Sequence, residues 1–130
     1  MSIIERVKKL GFPASEYVVI GAGILDALGL RNTDDIDVAV TPNLLKKLRE
    51  SGEWKEETRY GKLFLVGDKV DVITQLNWED YPTTTEEAIR TATIIDGVPF
   101  LNIEQTIKFK TALGREKDFK DIELLKKHIK

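Results

Sequence analysis

Cysteine is absent from the 130 residues, and histidine occurs once, at His128. The first absence excludes disulfides and thiolate-bound metal; with a single imidazole, oxygen atoms are left as the ligands for any metal ion. His128 falls near the end of the last expected helix and is read as an exposed surface residue. Net charge is nearly absent as well: 20 basic against 22 acidic residues give a formal −2, which excludes a generic polyanion-binding surface. No apolar run approaches a membrane span, and residues 1–11 lack the apolar stretch of a signal peptide, so the expectation is a cytoplasmic protein without membrane association. Internal repeats and low-complexity linkers are missing too. The chain is therefore expected to be a single domain, 1–130, able to bury a core but too small for a catalytic domain plus a separate recognition domain. Any second substrate binds to this unit or to a partner.

What is present concentrates in residues 17–40. Tyr17 to Ile20 form a β-branched run broken at Gly21, and the apolar spacing from Ile24 to Leu28 suits a short helix closed by Gly29. The alternation from Asp35 to Val40 then puts Ile36, Val38 and Val40 on one face of a strand and Asp35 and Asp37 on the other. At roughly 3.3 Å per residue the two aspartate backbones lie about 6.5 Å apart, so their side chains can converge on two divalent ions about 4 Å from each other. Carboxylates at a strand start also serve simply as solvated or capping groups. The upstream glycine turn favours the metal reading, because N–H groups opening the helix after Gly21 can hold the phosphate oxygens to which the acids deliver Mg²⁺.

Gly21-Ala22, twelve intervening residues and then Asp35-Ile36-Asp37 resemble the signature of the nucleotidyltransferase superfamily with a polymerase-beta-like core. The run Arg31-Asn32-Thr33-Asp34-Asp35-Ile36-Asp37 is similar to the R-x-T-x-D-I-D run of small stand-alone members, among them abortive-infection type toxins and minimal antitoxin-type enzymes. The chain departs from the family at Ala22, where Gly or Ser is usual, so a hydroxyl contact to phosphate is missing while backbone contacts survive. The resemblance implies two Mg²⁺ ions, with Mn²⁺ as a substitute, held by Asp35, Asp37 and a third acid on a neighbouring strand. It also brings Gly21, Ala22, Arg31 and Thr33 to the nucleotide.

Asp71 fits that third place. It is the one acid in the run Val70 to Thr74, where burial would be costly unless it faces solvent or meets a cation. In a two-metal site it would complete the second ion's ligands and accept the proton of the attacking hydroxyl. Lys62 to Val66 and Lys69 to Thr74 are expected to form a hairpin through Gly67-Asp68, and Thr93 to Leu101 another around Asp96-Gly97, with Pro99 marking an edge strand. Residues 53–60 are charged and give no clear signal.

Helices are expected over residues 2–10, over 42–51 behind Thr41-Pro42, after Thr84 with its Glu87 capping partner, and through the last thirty residues. In the final helix Phe119, Ile122, Leu125 and Ile129 share one face. Trp78 and Tyr81 in the polar loop 77–85 either stack on a base or anchor the loop. Between the last two helices, Lys110, Arg115, Lys117, Asp118 and Asp121 resemble the K-x4-R-x-K-D-x2-D segment that closes the small nucleotidyltransferases. Such clusters are often only a solvated face. On the functional reading Lys110 or Arg115 reaches the triphosphate and Asp118 orients it.

The element order predicts an α/β (α+β) fold, a mixed sheet flanked by helices, and the resemblance makes it nucleotidyltransferase-like. The expected activity is transfer of an NMP group from an NTP, with ATP as the anticipated donor, to a protein, RNA or small-molecule hydroxyl. The alternative is a non-catalytic nucleotide- or partner-binding module, one half of a toxin–antitoxin pair.

Overall fold

The structure is a computed structural model describing residues 2–129. These form six α-helices and a seven-stranded mixed sheet, in keeping with the α/β expectation. In chain order the elements are α1 (Ile3–Lys8), β1 (Tyr17–Ile20), α2 (Gly23–Ala27), β2 (Ile36–Val40), α3 (Pro42–Ser51), β3 (Lys55–Arg59), β4 (Lys62–Gly67), β5 (Val70–Ile73), α4 (Thr85–Arg90), β6 (Thr93–Ile95), β7 (Val98–Phe100), α5 (Ile103–Leu113) and α6 (Glu116–His128). The strand order is β3-β4-β5-β2-β1-β7-β6. The central strand β2 runs antiparallel to β1 and parallel to β5.

Alternation along β2 divides the core. Ile36, Val38 and Val40 join Val70, Val72, Leu65 and Val19 in one cluster, onto which α1, α2 and α3 pack. Each such side chain contributes about 1.5–3 kcal/mol by leaving water. Ala39 faces the opposite cluster with Val18, Ile20, Leu76, Tyr81, Ala88 and Phe109. Asp37 occupies that second face, where the apolar layer gives way to charge. Helix α5 supplies Ile103 and Ile107 to the first cluster and Phe109 and Ala112 to the second, so it ties the two layers together.

Helix boundaries follow the capping signals. Thr41, Thr84 and Asn102 each accept the backbone N–H three residues on, from Leu44, Glu87 and Gln105. Both expected hairpins form. The second turns at Asp96-Gly97 as expected, both at positive φ. The first turns at Asp68-Lys69, with Lys69 at positive φ, and not at Gly67-Asp68, because Gly67 pairs with Val70 as the last residue of β4.

Three further features depart from the sequence reading. Residues 55–59 form β3, an edge strand paired with β4. Pro99 lies in β7, which is flanked by β1 and β6, so the outer strand is β6. Proline is tolerated there because the ladder to β1 engages residues 100 and 101, through Leu101 N–H on the Val19 carbonyl, and never needs the nitrogen of Pro99. In α6, Phe119 and Ile129 are exposed, and the buried face is Asp118, Asp121, Ile122 and Leu125. Two carboxylates are accommodated on it because Arg31, Lys110 of α5 and Arg115 at the helix's own N-cap meet them.

Candidate active site

Asp37 is paired in register with Ile20 of β1 on one side and with Asp71 of β5 on the other. In-register residues of neighbouring strands share a face at about 4.8 Å. Asp37 and Asp71 therefore project side by side from the face that also carries Ala39 and Ile73. The chain leaves β1 at Gly21, whose φ is +68°, and a Cβ built there would stand 3.3 Å from Asp37 Oδ2. A side chain at this position would suffer both from the left-handed backbone and from contact with the carboxylate. The glycine bend and the acid thus meet at one point.

Ala22 caps α2 without a side-chain bond, and the helix begins at Gly23, where a Cβ would overlap Val19 Cγ1. Glycine here lets α2 lie directly on β1. Asp35 sits one residue ahead of β2, exposed, its carbonyl accepting from Thr33 Oγ1 at 3.3 Å. The loop is braced from two directions. Asp26 of α2 accepts the Thr33 N–H at 2.8 Å, and Arg6 of α1 donates to the carbonyls of Thr33 and Asp34.

The surroundings of Asp37 disfavour its charged form. Burial pushes the Asp37 carboxyl up from 3.8 to about 6, with further upward pressure from Asp71 and then Asp35; Lys110 and Arg115 pull it partway back. Three carboxylates and two cations thus share one electrostatic neighbourhood. The donor set of carboxylate oxygens suits hard divalent cations such as Mg²⁺ or Mn²⁺. Among the described residues, however, no three acidic or histidine side chains are drawn together into a ligand cluster. Asp71 is engaged elsewhere: Arg59 Nη1 donates to its Oδ2 at 3.1 Å while Nη2 holds Glu57 at 2.7 Å. The residues fit two metal ions in chemistry, provided that Asp71 exchanges Arg59 for a cation.

The C-terminal charges form a second, more buried network. Lys110, only 3% exposed, lies 2.9 Å from Asp121 Oδ2 and 3.4 Å from Asp118 Oδ1. Arg31 forks onto Asp121 at 2.6 and 2.8 Å, and Arg115 forks onto Asp118 at 2.6 and 3.1 Å. Burial alone would raise both aspartates. The paired cations more than offset it, chiefly Arg115 for Asp118 and Arg31 for Asp121, and hold both below the usual carboxylate range. Three cations against two carboxylates leave one positive charge beside the acids.

The structure thus brings Gly21 and Asp71 to Asp37, leaves Asp35 exposed at the entry to β2, and sets Ala22 and Thr33 in the flanking turns. Arg31, Lys110, Arg115 and Asp118 form one ion-pair chain with Asp121, in which Lys110 bridges the Arg115–Asp118 and Arg31–Asp121 pairs. Tyr81 is buried, its hydroxyl donating to Gln105 Oε1, so it anchors the loop 77–85; His128 is exposed. Arg59 and Asp26 had no sequence signal, since an arginine in a charged stretch and an acid in a helix look like surface residues. Asp121 was visible only as part of the closing segment. No protein-family model matches this chain, and no curated protein matches it.

Proposed function

We propose that this protein is a nucleotidyltransferase of the polymerase-beta-like superfamily that transfers an NMP group from an NTP, ATP being the expected donor, to a hydroxyl acceptor. The observation that carries this reading is the in-register pair Asp37 and Asp71 on adjacent parallel strands, with Gly21 of the neighbouring turn against Asp37. Asp35 and Asp37 would hold two Mg²⁺ ions and Asp71 would complete the second. When bound, the ions neutralise triphosphate charge and make the acceptor hydroxyl more acidic.

The chain's own groups supply positioning. The Gly21 bend admits phosphate close to the backbone, and the N–H groups opening α2 have no partner within the helix, as in any first turn. The network around Lys110 lends net positive charge to the leaving side. The acceptor oxygen forms its bond to the α-phosphorus as the bond to the β-phosphate oxygen breaks. Pyrophosphate departs, and the hydroxyl proton passes to Asp71 once Arg59 has released it. Labelled-NTP assays with protein, RNA and small-molecule acceptors test this: Asp35→Asn abolishes transfer in a folded domain, and equal activity in wild type and variant refutes the reading.

The ion pair between Arg59 and Asp71 supports a second reading, a non-catalytic module that binds nucleotide or a toxin–antitoxin partner. Calorimetric binding of ATP without turnover towards any acceptor, together with a stable co-purifying protein, would favour it.

A further inference from the structure

Beside the acids, on the same face of the sheet, lies a cavity of about 410 Å³ with predominantly apolar walls. Its floor is Phe64 and Ile73, paired across β4 and β5, and Phe109 of α5 and Trp78 form the inner wall. The Trp78 and Phe109 rings meet edge-on with centroids 5.5 Å apart, and Lys62 Nζ stands 5.9 Å from the Trp78 centroid. Ile73 follows Asp71 by two residues, so floor and acid are separated by about 6.5 Å along one strand. Arg59 spans the gap, bonded to Asp71 and lying 5.2 Å over the Phe64 ring. A comparable depression of about 420 Å³, lined by Leu45 and Arg49 of α3, lies on the opposite side of the sheet and has no such neighbour.

Tyr60 stands at the mouth of this cavity. It occupies the first position of a two-residue turn joining β3 and β4, with φ of 54°, and Gly61 follows at 74°. Such turns take Asn-Gly or Gly-Gly, and a bulky aromatic there is disfavoured by its own backbone. Yet Tyr60 is 96% exposed and gains no packing in return. Arg115 is coupled electrostatically both to Tyr60 and to Asp37. The setting is a flat apolar slot with a ring poised at its mouth and cations between it and a candidate phosphate site. It matches a nucleotide, with base in the slot and phosphates toward the acids.

We propose that this cavity takes the nucleobase of the triphosphate donor and that the Tyr60 ring closes over the base as its outer stacking partner. The inference rests on reading the three acids as the metal-triphosphate site. It adds the element that separates a nucleotide from a bare polyphosphate, because every base offers a π-face to stack while the phosphates alone cannot fill an apolar slot.

The test is calorimetric titration of the full chain with ATP, in Mg²⁺ and in EDTA, with inorganic tripolyphosphate in Mg²⁺, and with adenosine without metal, repeated on Tyr60→Gly. Glycine relieves the positive φ, so thermal stability holds or rises while ATP affinity falls about tenfold and tripolyphosphate affinity stays put. Unchanged ATP affinity in the variant, or equal binding of ATP and tripolyphosphate to wild type, overturns the slot and leaves the acid site standing. Adenosine binding that is weakened by Tyr60→Gly, with Mg²⁺ contributing nothing to ATP binding, keeps the slot and removes the metal site. No binding of any of the three removes both.

Discussion

Replacing Asp37 by asparagine should stabilise the metal-free protein at neutral pH, although it removes the residue on which the site turns. The side chain keeps its shape and loses a charge that burial, Asp71 and Asp35 all oppose. A carboxyl moved from 3.8 to about 6 is displaced by about two pKa units, equivalent to about 3 kcal/mol. The sign follows from proton binding. The native state holds the Asp37 proton more tightly than the unfolded chain does, so its contribution is fully present below pH 4. It declines as pH rises through 4 to 6 and is gone above that range. Asp118 and Asp121, whose carboxyls are held low, contribute in the opposite sense, but they are common to both proteins and cancel in the difference. Urea unfolding in EDTA should therefore give similar stabilities at pH 4 and an advantage to Asp37→Asn of up to about 3 kcal/mol at pH 8. Saturating Mg²⁺ should narrow the gap by raising wild type, by about 2.7 kcal/mol at a hundredfold excess over Kd. A variant that is less stable than wild type at pH 8, or a difference that does not change with pH, would show that burial and the neighbouring acids do not disfavour the Asp37 charge as argued.

Lys110→Met should be severely destabilising, by about 3–5 kcal/mol in urea unfolding, because Asp118 and Asp121 would then be buried with only their arginines left. Arg115→Ala removes two hydrogen bonds from the buried Asp118 but leaves it Lys110, so it should cost less than Lys110→Met, about 1–3 kcal/mol in the same assay. Gly21→Ala should lower thermal stability by about 1 kcal/mol through its positive φ and, by crowding Asp37 Oδ2, weaken Mg²⁺-dependent ATP binding in calorimetry. Arg59→Gln should free Asp71 and tighten Mn²⁺ binding in the absence of nucleotide; unchanged Mn²⁺ affinity would mean that the ion pair does not restrain the acid.

How far the sequence reaches depends on whether local pattern or distant pairing decides a residue's place. The β-branched run ending at Gly21, the alternation through Asp37 and the caps at Thr41, Thr84 and Asn102 are local signals, and these elements stand where they point. Strand β3 was illegible because an exposed edge of Lys, Glu and Arg has no apolar alternation to display; only its pairing with β4 makes it a strand. The exposure of Phe119 was hidden for the same reason. Helical spacing groups it with Ile122 and Leu125, whereas burial goes to Asp118 and Asp121, whose partners come from residues 31, 110 and 115. Pro99 misled because a proline's compatibility with an inner strand depends on which residues the ladder uses. At the site, the alternation places the acids on one face, but the grip of Arg59 on Asp71 and the cavity beneath Tyr60 arise only when β3 and β4 fold against β5.

The proposed function requires that Asp35, Asp37 and Asp71 jointly hold a metal-bound triphosphate. Calorimetric titration of ATP into wild type and Asp37→Asn, each with Mg²⁺ and with EDTA, tests this most directly. Binding to wild type should require Mg²⁺ and be lost in the folded variant. Binding that persists in EDTA, or that the variant retains undiminished, would contradict that requirement.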